Sequence, residues 1–304
     1  MEKKQKPISI GFPVYNGASR MTKALDTLLG QTYKDFELII SDNASTDETA
    51  RIAQGYAASD SRIRYIRQSE NIGQVSNIKF VIEASSSKYF MLAADDDWWE
   101  PEFVECLFGA LEANPYYVAA MSSFEREDER GCRLDRVELT GMYDLARQGY
   151  YSVFSKMIWK HPIHLFFYGL WRREFLARHF NRPIPRCIYW DRVFFAEVAL
   201  CGHLYSIPDL LYHRRSNSVK IKKRYTNDSV GALFQEPYPY TNFLLVMLWR
   251  LVSSPFIPWY RKPLIFPPWS RLFWILSGSV VFECRRSLRS WYQESRGKFK
   301  RRVN

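Results

Sequence analysis

The sequence predicts an α/β fold built on a mostly parallel sheet with helices on both faces. Two observations carry this. Short apolar runs alternate with amphipathic helical stretches from residue 8 to residue 122, and the polar motifs fall at the carboxyl ends of the apolar runs. In sheets of this kind the ligand sits at those ends.

The elements follow in order. Ile8 to Phe12 is an apolar run broken by Pro13, which suits a buried strand running into a loop. Ser19 to Leu29 has helical spacing, with Met21, Ala24, Leu25, Leu28 and Leu29 on one side. Phe36 to Ile40 is a second strand, closed by the polar cluster SDNASTDET. Ser45 and Glu48 in that cluster have capping-box spacing ahead of a helix over Thr49 to Ala58. Ile63 to Ile66 is a third strand, Val75 to Ala84 a helix, and Tyr89 to Ala94 a fourth strand. A helix over Phe103 to Leu111 and a strand over Tyr117 to Ser122 complete this half.

The densest chemistry is Asp95-Asp96-Asp97, directly after the apolar KYFMLAA and before Trp98-Trp99. Three adjacent carboxylates at a strand end repel one another and raise each other's pKa unless a cation sits among them. Hard oxygen ligands suit Mg²⁺ or Mn²⁺, shared with substrate phosphates. A solvated acidic turn is the alternative, and the position at the end of a buried strand favours the metal.

Four segments, FPVYNG, FELIISDNASTDET, ENIGQVSN and LAADDDWWEP, occur in the order seen in glycosyltransferase family 2. Over Pro7 to Phe124 the chain resembles the nucleotide-binding half of that family. The resemblance implies a GT-A fold and an inverting transfer from a UDP-, GDP- or dTDP-sugar. It places Pro13 and Tyr15 in the nucleotide base pocket, with Asp42 accepting a hydrogen bond from the base. Asn71, Gly73 and Asn77 fall where the family closes over ribose and sugar. Asp95 and Asp97 match the ends of the DxD motif, and Asp97 is the expected direct metal ligand. Many members read DADD where this chain reads AADDD, so the first Asp of the motif aligns with either of two adjacent residues and Asp96 stays among the candidates.

The later segment IYWDRVFFAEVALCGHLYSIPDLLYHRRSNS resembles the acceptor side of bacterial members, where an Asp opening an amphipathic helix is the base. Asp191 holds that place, with Glu197 on the same helix as the fallback. The alternative for Asp191 is a helix cap, a position Asp favours. Arg214-Arg215 resemble the family's RRxH element, which supports the diphosphate, although Asn217 stands where its His is expected. His161 and His164 have i, i+3 spacing without a third ligand nearby, and read as structural or acceptor-lining. Gly169 and Trp171 are expected to shape the acceptor pocket or to be core. The implied acceptor is a glycan or a polyprenyl-linked glycan.

Charge divides the chain. Of the net +11, residues 1–220 contribute nothing, with 28 Lys+Arg against 28 Asp+Glu, while residues 221–304 hold 15 against 4. Two apolar patches there, Phe243 to Trp249 and Leu272 to Phe282, are shorter than the roughly 20 residues that span a bilayer. Five of the ten tryptophans lie in the same region. Trp and Tyr favour the headgroup layer and Lys/Arg favour anionic lipid, which predicts a peripheral, in-plane attachment to the inner face of the cell membrane. Packing on the body and an oligomer interface are the alternatives.

The expected organisation is a donor half over 1–124, an acceptor half of the same domain over 125–220, and the basic region 221–304. The five cysteines are an odd number without a CxxC pair, so neither a disulfide framework nor a zinc knuckle is expected. The opening MEKKQKPISIGF has no apolar signal core, so a cytoplasmic location is expected. PVYNG after the first strand, in place of a Gly-rich loop, argues against a sugar nucleotidyltransferase and a nicotinamide dehydrogenase. A non-catalytic membrane or nucleic-acid binder would leave Asp42 and the Asp triplet without a role, and no nucleic-acid partner is expected.

Overall fold

A computed structural model describes residues 5–128, 130–139, 149–155, 166–183, 187, 189–215 and 238–280. The chain divides into two compact units. Met1–Val153, His161–Pro183 and Gly202–Ser218 form the first, and Phe154–Lys160, Ile184–Cys201 and Val219–Asn304 form the second.

The first unit is one mixed sheet flanked by helices. Its strands are β1 (Ile8–Val14), β2 (Phe36–Asp42), β3 (Ile63–Arg67), β4 (Tyr89–Leu92), β5 (Trp98–Trp99), β6 (Tyr117–Glu127), β7 (Arg133–Val137), β8 (Leu170–Arg172) and β9 (His203–Arg215). They lie in the order β3-β2-β1-β4-β8-β6-β9-β5, with β7 paired to β6. The β1–β2, β1–β4, β2–β3 and β6–β9 pairs are parallel, while β5, β7 and β8 run against their neighbours. The parallel sheet expected from the alternation therefore describes β1 to β4, with antiparallel strands added beyond it.

Four helices connect the first strands: α1 (Met21–Leu29), α2 (Thr49–Ser59), α3 (Gln74–Ala84) and α4 (Phe103–Ala113). Met21, Ala24, Leu25 and Leu28 of α1 are fully buried. Each large apolar side chain contributes about 1.5–3 kcal/mol by leaving water. α5 (Arg173–Phe180) follows β8. Trp171 of β8 is fully buried and donates its indole N–H to the Phe166 carbonyl at 2.8 Å, so it is core. Gly169 lies against the backbone carbonyl of Ala120, where a side chain has no room.

The capping box expected at Ser45 and Glu48 does not form. The Ser45 hydroxyl accepts the Asn16 N–H at 3.0 Å, and the carboxylate of Asp47 takes the Thr49 N–H at 3.0 Å. The Ser45 hydroxyl is thus engaged by the loop after β1, at Asn16, which has a φ of 48°.

The second unit contains α6 (Trp190–Cys201), α7 (Pro239–Val252), a 3₁₀ turn over Trp259–Ile265 and a helical stretch over 266–280. α6 and α7 are joined by a fully buried ion pair, Arg250 donating from Nε to Glu197 at 2.9 Å and from Nη2 at 2.8 Å. Among the described residues no helix is long and apolar enough to cross a membrane.

Candidate functional site

Parallel pairing puts the carboxyl ends of β1, β2, β3 and β4 along one edge of the sheet. The chain leaves β1 towards β2 on one side and reaches β4 on the other, so a crevice opens between the ends of β1 and β4. Tyr15 follows β1, Asp42 ends β2, Arg67 ends β3 and the Asp triplet follows β4.

Asp42 is fully buried. Its Oδ1 accepts the Ser45 N–H at 2.8 Å, and its Oδ2 accepts the Tyr65 hydroxyl at 2.9 Å and Arg67 Nη1 at 2.8 Å. The Arg67 side chain remains 43% exposed, so the pair offers a cation at the mouth with an acid behind it. Tyr15 is exposed, and Pro13, next to last in β1, is half-buried.

The loop before α3 is tied to the same edge. Asn71 Oδ1 accepts Asn43 Nδ2 and the Gly73 N–H, each at 2.9 Å. Gly73 has φ +84°, a conformation that an L side chain rarely adopts. Asn77 is buried and its amide clamps α3 to β2, accepting from the Ser41 hydroxyl at 2.6 Å and donating to the Ser41 carbonyl at 3.0 Å.

The three adjacent carboxylates have three different surroundings. Asp95 turns back towards the β1–α1 loop, where Arg20 pairs with it. A Cβ on Gly17 would lie 2.5 Å from Asp95 Oδ2, so only glycine leaves room for that approach. Asp97 is 2% exposed, accepts the Tyr212 hydroxyl on Oδ2, and receives the Arg215 N–H on Oδ1 at 3.3 Å. Asp96 lies between them, half-buried.

Burial, and then the neighbouring Asp96, push the Asp97 carboxyl up to about 7, against the pull of Arg214, the Tyr212 hydroxyl and the Arg215 N–H. Burial likewise raises Tyr212 far above its ordinary range, so it stays a donor. For Arg214, burial works against the charge but is outweighed by Tyr168, Tyr212, Asp97 and Asp96, and its pKa rises. Arg214 stays charged while Asp97 is left short of compensation. A buried carboxylate with a half-buried carboxylate beside it is a donor set that fits a hard divalent cation.

Arg214 and Arg215 diverge, because successive strand side chains point to opposite faces. Arg214 lies 6.0 Å from the ring of Tyr168, which stacks on Tyr212. Arg215 lies over Trp98 at 5.9 Å, with Lys23 over the same ring at 3.2 Å.

A second cluster lies on the Arg215 side. Glu125, Glu127 and His213 each bring one ligand-type atom within 4.8 Å of the others. His213 Nε2 is 2.7 Å from Glu100 Oε1, it stacks on Trp98, and its Nδ1 is buried without a hydrogen-bond partner. Its carboxylates already face cations, Arg133 at 3.5 Å from Glu125 and Lys23 opposite Glu127. At the Asp triplet, Asp95 pairs with Arg20 and the Asp97 pKa is raised by burial, which leaves Asp96 without a described salt bridge.

Residues 9–180 match Glycosyl transferase family 2. The chain belongs to this family. Glycosyltransferase GlyA of Streptococcus pneumoniae serotype 4 is 35% identical over 124 residues, covering 41% of this chain and 18% of that protein. The chain thus spans less than a fifth of the length of that relative. Among solved structures, residues 1–349 of S. aureus TarS in complex with UDP-GlcNAc superpose with a TM-score of 0.63 at 13% identity, over 88% of this chain and 72% of that one. Mannosyltransferase PcManGT from Pyrobaculum calidifontis, in complex with GDP-Man and Mn²⁺, gives 0.54 at 16% identity, over 95% and 84%. The chain carries a domain of this family in a GT-A fold.

Other candidates of this glycosyltransferase fall elsewhere. Asp191 belongs to the second unit, in the first turn of α6, where its Oδ1 accepts the Arg192 N–H at 2.9 Å. Glu197 is corrected as a fallback base: it is fully buried against Arg250 and closed to an acceptor hydroxyl. His161, His164 and Asn217 lie outside the described residues. Sequence reasoning missed Arg20, Arg67 and Tyr212. Tyr212 sits beside the Arg pair in LLYHRR, the one available signal; Arg20 and Arg67 had none.

Proposed function

We propose that this glycosyltransferase moves a sugar from a nucleotide-sugar donor to a hydroxyl of a glycan or lipid-linked acceptor, with inversion and with a divalent cation, Mg²⁺ or Mn²⁺. The observation that carries the reading is the charge-deficient Asp97, held by Tyr212 beside Asp96 and Arg214. It lies on the edge where β1 to β4 end.

Pro13, Tyr15 and Asp42 are assigned to the base, with Arg67 added as the cation beside Asp42. Asn71 and Gly73 border the ribose and sugar, and Asn77 keeps that loop in place through Ser41. Asp97, with Asp95 and Asp96, would hold the cation, which when bound neutralises charge on the diphosphate. The Arg20 contact makes Asp95 the most committed of the three, which favours Asp96 and Asp97 as the direct ligands.

Asp191 takes the proton of the acceptor hydroxyl as its oxygen bonds to the anomeric carbon. The bond from that carbon to the diphosphate oxygen breaks on the opposite face, and the electron pair leaves with the nucleoside diphosphate. Arg214 stabilises the charge developing there, and Arg215 is assigned to the same diphosphate. The donors named for the solved neighbours, UDP-GlcNAc and GDP-Man, support a nucleotide-sugar without choosing the base. We further assign the basic second unit to the anionic inner face of the cell membrane. A panel of UDP-, GDP- and dTDP-sugars, assayed for turnover and for product anomeric configuration by NMR, tests the reading; retention of configuration overturns the single displacement.

A further inference from the structure

We propose that the outer side of α7, with the 3₁₀ turn and the helical stretch laid against it, is a bilayer-insertion surface. This rests on the membrane attachment assigned above and names the residues that make it.

α7 is two-sided. Phe243, Leu244, Met247 and Leu251 are buried, whereas Leu245, Trp249 and Val252 recur at helical spacing on the other side and are 60%, 52% and 42% exposed. Both following elements are fastened to α7. Lys262 Nζ donates to the Val252 carbonyl at 2.7 Å, and the Trp269 indole N–H donates to the Leu244 carbonyl at 3.1 Å. They carry the most exposed aromatics of the described residues, with Trp259 82% and Trp274 78% exposed. Single exposed apolar residues are ordinary, but a group of them on adjoining elements marks a contact surface.

Charge selects the partner. Residues 238–280 contain no Asp or Glu, and contain Arg250, Arg261, Lys262 and Arg271. Arg250 is buried against Glu197, Arg261 and Lys262 are half-buried with hydrogen bonds to backbone carbonyls, and Arg271 is exposed, so the charge that reaches the surface here is positive. A second copy meeting this face about a two-fold axis would set like charges against each other. An anionic headgroup layer complements them, and Trp and Tyr prefer that layer. Among the described residues no helix is long and apolar enough to span, so the surface is assigned to the plane of the membrane.

The test is vesicle flotation of the full chain. At low salt the wild type should float with equimolar phosphatidylcholine–phosphatidylglycerol vesicles, and much less with phosphatidylcholine alone or at high salt. Trp259→Ser and Trp274→Ser should each weaken binding about tenfold, because each withdraws a large apolar side chain from lipid. Both sites are exposed, so circular dichroism should match the wild type. Failure of the wild type to float, or unchanged flotation of a double variant carrying both Trp259→Ser and Trp274→Ser, overturns the proposal. A wild-type dimer in sedimentation that the double variant makes monomeric also overturns it, in favour of an interface between copies. Nucleoside diphosphate release, measured separately without lipid, should be untouched by the double variant. If release fails for every donor while flotation holds, the catalytic reading falls and this one stands.

Discussion

Asp97→Asn removes an ionisable group whose folded and unfolded environments differ widely. The wild-type carboxyl is pushed from 3.8 to about 7, chiefly by burial. A group with a raised folded pKa stabilises the fold fully below its unfolded value, and loses that contribution as pH rises through the folded one. At about 1.4 kcal/mol per unit, the metal-free wild type should lose about 3 kcal/mol between about pH 5 and about pH 8 through this residue. Asn keeps the shape and cannot ionise, so the variant should lack this slope and should exceed the wild type at the alkaline end. Urea unfolding in EDTA across that range reads the difference directly. Added Mn²⁺ should stabilise the wild type increasingly as pH rises, since a cation binds the ionised form, and should do little for the variant. Parallel pH profiles for the two proteins, or a variant less stable at the alkaline end, would refute the reasoning.

Asp191→Asn should keep nucleotide-sugar affinity by calorimetry while lowering the transfer rate about 10²- to 10⁴-fold; normal turnover would leave Asp191 as a helix-terminal residue alone. Arg250→Met should destabilise the second unit by about 3–5 kcal/mol in urea, because Glu197 is left buried without its partner, and Glu197→Leu added to it should recover much of the loss. Gly17→Ala should displace Asp95 from Arg20 and weaken Mn²⁺-dependent donor binding, with the circular dichroism spectrum unchanged. Donor affinity equal to wild type would place Asp95 outside the site.

The strands β1 to β4 and the helices between them were legible because each apolar run is long enough to show its period and ends in polar residues. β5 and β8 were not, since strands of two and three residues carry no period, and their antiparallel pairing depends on distant partners. The Asp triplet was legible as a cluster, but the raised pKa at Asp97 comes chiefly from burial, with repulsion by Asp96 second to it. Which carboxylate faces which way was not legible, because Arg20 and Tyr212 decide it from 75 and 115 residues away in sequence. The same holds for Arg250. In the sequence it counts as one cation of a basic tail, whereas in the fold it is buried against Glu197, 53 residues earlier. Removing the chain from α7 onward should therefore expose Glu197 and unfold α6, rather than release an independent anchor.

The measurement closest to the central claim is release of nucleoside diphosphate from a panel of nucleotide-sugars, run with Mn²⁺ or Mg²⁺ and again with EDTA, for the wild type and Asp97→Asn. Release from at least one donor with cation, abolished by EDTA and by the substitution, is the expected result. Equal release in EDTA, or full activity of Asp97→Asn, would contradict the assignment of the triplet to metal-dependent transfer.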